Sequence, residues 1–154
     1  MKKRHVADAF SGEGPRLGGG RWNYIGTRVV YVSSTLALAA WELFVHFTEK
    51  DIVISRSLYS ITAEIPDNLK IEEVSVGGLK SGWDSSPPPD FTKEIGEKWL
   101  AKGSSAVLKV PSAIIPTECN FVLNPDHPDF SRIAVRRPVP FMIDGRAWKH
   151  RKKT

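Results

Sequence analysis

Ser34 to Phe47 reads STLALAAWELFVHF, and from Leu36 to Phe47 only Glu42 and His46 are polar. A helix that is apolar on nearly every side has no wet face to turn outward, so the pattern predicts a buried helix, with Ser33 or Ser34 as its N-cap. Glu42 is then carried inside with it. Removing an ionised carboxylate from water costs on the order of several kcal/mol unless it is paired or hydrogen-bonded, so a glutamate kept there needs a partner or a function. His46, four residues further on, falls on the same face and is expected to pair with the carboxylate or hold it.

Immediately before this stretch, Arg28 to Ser33 (RVVYVS) is β-branched and bounded by turn residues, which predicts a short central strand. The period of two places Val29, Tyr31 and Ser33 on one face and Val30 and Val32 on the other. Tyr31 therefore points with the polar side, where a tyrosine is commonly half-buried with its hydroxyl satisfied. Further upstream, residues 11–20 (SGEGPRLGGG) could wrap a ligand closely or form a loop. They are no dinucleotide fingerprint, because Leu17 stands where a third glycine belongs and no strand precedes them. Residues 18–27 (GGGRWNYIGT) crowd Arg21, Trp22, Asn23 and Tyr24 beside glycines that let the backbone approach closely. Arg21 is a candidate contact for an anion or a ribose; an exposed loop arginine is the alternative.

Downstream, residues 58–65 (LYSITAEI) alternate as a strand with one polar face, a Pro-Asp-Asn turn follows, and 69–76 is a second strand. Residues 77–90 lose periodicity, and their three consecutive prolines predict a stiff loop. Phe91 to Lys102 is an amphipathic helix with Phe91, Ile95 and Trp99 as its core stripe and Gly103 as its stop. The last third reads as strands at 106–110, 120–123 and 139–143. Ser112, in VPSAIIP, follows a strand end, where ligand contacts are often placed. Residues 124–130 (NPDHPDF) are a turn cluster.

With 154 residues and no internal repeat, the chain is expected to be one domain. Its single cysteine, Cys119, excludes an internal disulfide and fits a reducing compartment. No apolar run reaches the roughly 18 residues of a membrane span, and the basic start leads into no signal-peptide core, so a soluble cytoplasmic protein is expected. The formal charge of +5 is concentrated at the ends: setting aside Lys2, Lys3, Arg4, Lys149, Arg151, Lys152 and Lys153 leaves 15 of the 22 basic residues against 17 acidic ones. A nucleic-acid groove would carry its cations on the fold, so no direct nucleic-acid partner is expected. Nor is a metal: His5, His127 and His150 have no ligand spacing with Glu42 and His46.

Taken in order, AFSGEGPRLGGGRWN, VVYVSS, LALAAWELFVH, IPD, IGEKWL, VPSAIIPTECNFVLNP, HPDF and PFMIDGR resemble the RES domain, the toxin half of bacterial RES-Xre toxin-antitoxin modules. The resemblance runs across almost the whole chain. It implies an α+β fold of the ADP-ribosyltransferase type, a split mixed sheet with packed helices, formed by a single domain over 1–154 with a short basic tail at 149–154. It implies NAD as substrate, and by position it makes Arg21, Tyr31, Glu42 and Ser112 the functional residues. NAD contacts are expected from Arg21, Tyr31 and Ser112, with Asn120 in the pocket wall and His46 behind Glu42.

The chemistry follows from that implication. Cleaving the nicotinamide–ribose bond develops positive charge on the sugar, which a fixed carboxylate stabilises where water is excluded. Nicotinamide leaves as a neutral molecule, so no general acid is required. The implied function is a toxin that degrades NAD by phosphorolysis or hydrolysis. One alternative keeps the site and sends ADP-ribose to a protein; another is a non-catalytic interaction domain acting through the basic tails. A cognate antitoxin with an Xre-type helix-turn-helix domain is the implied partner, and the resemblance leaves room for a homodimer. It also implies a further segment, typically a strand with its own arginine, ahead of the part matching KKRHVADAF.

Overall fold

In a computed structural model, residues 1, 6–48 and 58–148 are described. The basic ends noted above, with His5 and His150, lie outside them. The centre is a four-stranded mixed sheet in the order β1-β6-β5-β4, formed by β1 (Val30–Ser33), β4 (Ile71–Glu73), β5 (Val107–Pro111) and β6 (Cys119–Leu123). β4 runs parallel to β5, and the other pairs are antiparallel. Two small antiparallel pairs stand apart from it: β2 (Leu58–Ser60) with β8 (Val139–Phe141), and β3 (Ala63–Glu64) with β7 (Ala134–Val135). The strand expected over 58–65 is thus divided between the two pairs, and the one expected over 69–76 shortens to β4. Such short pieces carry too few alternations for periodicity to separate them.

Alternation sorts the core. On one side of the central sheet, Val29, Leu108, Val110 and Val122 pack with Trp22, Trp83 and Trp99; on the other, Val30, Val107 and Leu123 pack with Leu69, Ala106 and Ile133. The two faces expected of β1 are the two faces observed.

The amphipathic helix is α3 (Asp90–Lys102); α1 is Glu13–Gly18 and α2 is Leu36–Phe44. In α3, Trp99 is buried, Phe91 and Ile95 pack against the first core cluster, and Gly103 caps the helix with φ 58°. That left-handed conformation explains why glycine stops the helix there. Gly96 is needed for a different reason. A Cβ on it would lie 1.8 Å from the Trp22 carbonyl oxygen, so α3 and the segment carrying Arg21 touch backbone to backbone.

The glycine-rich start is not a plain loop, since α1 forms inside it. α2 departs further from expectation. Its N-cap is Thr35, whose hydroxyl accepts from the Leu38 N–H, and within the helix only Leu38 is buried. Leu36, Trp41 and Val45 are 50%, 51% and 44% exposed. The helix spans the rim of a cavity rather than the core, so much of its apolar surface lines open space. Among the described residues, no helix is long and apolar enough to cross a membrane.

Candidate active site

Three neighbouring strands deliver the site. Tyr31 on β1 stands opposite Val122, Asn120 on β6 stands opposite both Ser33 and Val110, and Ser112 follows the end of β5. Counting by twos from the core residues Val110 and Val122 places Ser112 and Asn120 on the face that holds Tyr31. The ladder continues past β5, the Ser112 N–H donating to the Glu118 carbonyl. α2 then brings Glu42 onto this face: Ser112 Oγ donates to Glu42 Oε1 at 2.9 Å, and Asn120 Nδ2 donates to the same oxygen at 2.5 Å.

Ser112 is 0% exposed and fully committed. While its hydroxyl donates to Glu42, the oxygen accepts the N–H groups of Ile114 and Ile115, each at 3.1 Å. One donor and two lone pairs are all that a serine hydroxyl has. Asn120 is less complete, because its buried Oδ1 has no partner among the described residues. Glu42 is half-buried, and its Oε1 takes both anchors while Oε2 receives no side-chain bond among the described residues. His46 lies past the helix end and is exposed; the groups that hold the carboxylate are Ser112 and Asn120. Arg28 is engaged elsewhere, with Asp126 at 3.0 Å and the Ser11 carbonyl at 2.9 Å.

Glu42, Asn120, Tyr31 and Arg21 line one open cavity of about 1540 Å³, which also reaches Val30 and Val32 on the opposite face of β1. β1 is one of the two edge strands, so the cavity passes round it. Pockets for small ligands measure roughly 300–1,000 Å³, so this one has room for an extended dinucleotide. Ser112 is not part of the lining.

Arg21 closes one side. Its guanidinium donates to the carbonyls of Trp83 and, at 3.0 Å, Ser85, in the proline-rich loop, while Asp84 and Ser86 of that loop line the cavity. Burial pulls the guanidinium below its ordinary pKa, with the carboxylates of Asp84 and Glu42 acting in the opposite direction. It remains a cation. The Tyr31 hydroxyl accepts from the Trp22 N–H at 3.0 Å and donates to Asn23 Oδ1 at 2.8 Å. Burial pushes its pKa well above that of an ordinary phenol, against the opposing influence of the Trp22 N–H and Arg21. Tyr31 therefore lines the cavity with its hydroxyl already committed to Trp22 and Asn23.

The site so defined brings the Glu42 carboxylate, held by two neutral donors, to the same large cavity as the Arg21 cation and the Tyr31 ring. Asn23, which organises the Arg21 side, is marked in the sequence only by its place in GGGRWN. The adjacent glycines are its only local signal.

Residues 2–144 match the RES domain family, and the chain belongs to it. The chain is 36% identical over 146 residues to a protein of Sphingobium sp. (strain YBL2) called Prs ADP-ribosylating toxin, which covers 94% of this chain and 89% of that one. It is 38% identical over 152 residues to a Toxin Res of Photorhabdus laumondii, covering 98% and 96% of the two chains. Among solved structures it resembles the M. tuberculosis MbcT-MbcA toxin-antitoxin complex, with a TM-score of 0.65 at 17% identity over 85% of this chain and 76% of that chain. At that identity the likeness speaks for the fold, which is α+β and of the ADP-ribosyltransferase type.

Proposed function

We propose that the chain is the toxin of a toxin-antitoxin pair and that it consumes NAD by breaking the nicotinamide–ribose bond at Glu42. The observation that carries this reading is the setting of Glu42: a carboxylate anchored through Oε1 by Ser112 and Asn120, with Oε2 left without a side-chain bond among the described residues, in the lining of a cavity large enough for a dinucleotide. In this reading Oε2 accepts from a ribose hydroxyl and stabilises the positive charge that grows on the sugar. The C1′–N bond breaks with its electron pair going to nicotinamide, which leaves neutral. Water or phosphate supplies the oxygen that bonds to C1′, and its proton passes to solvent. Tyr31 packs its ring against nicotinamide, Arg21 faces the diphosphate or ribose oxygens, and Asn120 forms wall beside Glu42. Ser112 acts through Glu42, since it is buried behind it. No step draws on a metal.

A second reading keeps the site and transfers ADP-ribose to a protein. The name of the Sphingobium relative favours it, as does the exposed apolar rim of Leu36 and Val45 at the cavity, on which a protein could rest. The same rim suits an antitoxin, and the fold's likeness to a chain solved within a toxin-antitoxin complex supports a partner of that kind. An Xre-type antitoxin and a homodimer remain part of the proposal. The non-catalytic reading rests on tails outside the described residues, and no geometry favours it.

The test is to incubate purified protein with NAD, with and without phosphate, and follow nicotinamide and ADP-ribose products by chromatography alongside Glu42→Gln. Release that requires phosphate means phosphorolysis, and release without it means hydrolysis. Release that the folded Glu42→Gln protein matches would sink the reading. ADP-ribose appearing only on added protein would establish the second reading instead.

A further inference from the structure

Asn23 has every polar atom of its side chain engaged, and it sits two residues from Arg21. It is 0% exposed. Its Nδ2 shares two N–H groups among the carbonyls of Pro15 at 2.9 Å, Tyr24 at 3.0 Å and Thr27 at 3.2 Å. Three carbonyls demand a donor, so the amide orientation is determined, and Oδ1 is left to accept from the Tyr31 hydroxyl. That hydroxyl in turn accepts the Trp22 N–H. One buried amide thus ties the middle of α1, the turn at 24–27 and strand β1 to the backbone on either side of Trp22.

We infer that Asn23 is a positioning residue that holds Arg21 and Tyr31 as a unit at the cavity wall. This rests on the NAD reading above. A loop that merely had to be closed could be packed with apolar side chains, whereas a fully satisfied buried network selects one geometry. Two further features agree. A Cβ on Gly20 would come within 2.6 Å of the Tyr31 hydroxyl oxygen and 2.7 Å of Asn23 Oδ1, so glycine is required for that hydrogen bond to form. The Trp22 carbonyl abuts Gly96 of α3 from the other side. Arg21 stands between Gly20 and Trp22, its backbone confined by both. Its guanidinium carries the constraint on to the carbonyls of Trp83 and Ser85. Glu42 hangs from a separate set of anchors, Ser112 and Asn120, which the Asn23 network does not touch.

That separation makes the inference testable as a split between KM and kcat. Nicotinamide release is measured over a range of NAD concentrations for wild type, Asn23→Ala and Gly20→Ala, with a thermal melt of each. A positioning role predicts that KM rises by on the order of tenfold to a hundredfold while kcat per folded molecule stays near wild type. A purely structural role lowers the folded fraction and the apparent kcat and leaves KM alone, and that result overturns the inference. Should Asn23→Ala fail to fold, Gly20→Ala carries the test, because it intrudes on the Tyr31–Asn23 bond and leaves the three carbonyl bonds in place. If wild type releases no nicotinamide, the NAD reading falls and this inference with it; normal release by wild type with an unchanged KM in both variants removes this inference alone.

Discussion

Replacing Ser112 with alanine removes one oxygen from a fully buried position, leaves the Ile114 and Ile115 N–H groups without their partner and takes from Glu42 Oε1 one of its two donors. An unsatisfied buried donor costs about 1–3 kcal/mol. Ile114 and Ile115 are half-buried, so the low end applies to each amide. Glu42 keeps Asn120 and its access to the cavity, so its loss is also near the low end. Together these come to about 3 kcal/mol. For a chain of 154 residues each kcal/mol moves the melting temperature by about 2–4 °C, so Ser112→Ala should melt about 6–12 °C below wild type. Its activity should fall but persist. Ser112 does not line the cavity, and Glu42 retains one of two anchors, so kcat for NAD should drop on the order of tenfold to a hundredfold and stay above that of Glu42→Gln. Calorimetry together with nicotinamide release reads both numbers. A melt equal to wild type would show that the hydroxyl does not hold those amides. An unshifted melt with turnover as low as Glu42→Gln would mean that Ser112 touches substrate directly, and the positioning account of it would have to be abandoned.

Gly96→Ala drives a methyl to within 1.8 Å of the Trp22 carbonyl, contact that only backbone movement relieves, so it should cost about 3 kcal/mol, the top of the usual overpacking range, and raise the KM for NAD through displacement of Arg21. Urea unfolding and steady-state kinetics check it, and a stability equal to wild type would refute the backbone contact. The raised pKa of Tyr31 sets a pH dependence: the unfolded chain releases this proton near pH 10 while the folded chain keeps it, so the stability it contributes is complete below about pH 10 and is lost as pH rises beyond. Tyrosinate absorbance during an alkaline titration should therefore show a last phase that coincides with global unfolding and is absent from Tyr31→Phe.

Much of this molecule was legible one residue at a time. The period of two along β1 separated Val29 and Tyr31 from Val30 and Val32, and the structure keeps them on different cores. The helical spacing of Phe91, Ile95 and Trp99 with Gly103 after them described α3 almost to the residue. These features depend on neighbours within a turn or a few strand residues, which local order is enough to specify. The apolar run 36–47 misled about burial for the same reason: composition reports that a surface avoids water, and lining a cavity or a partner satisfies that as well as a core does.

What only the tertiary structure decided is who holds whom. Glu42 meets Ser112 and Asn120 across 70 and 78 residues of chain, and Arg21 meets the Trp83 carbonyl across 62. No periodicity reaches that far. Whether a serine faces a ligand or stands behind a glutamate, and whether a tyrosine hydroxyl is free or spent on Asn23, is settled by the register of strands that are distant in sequence and by where one helix crosses their ends.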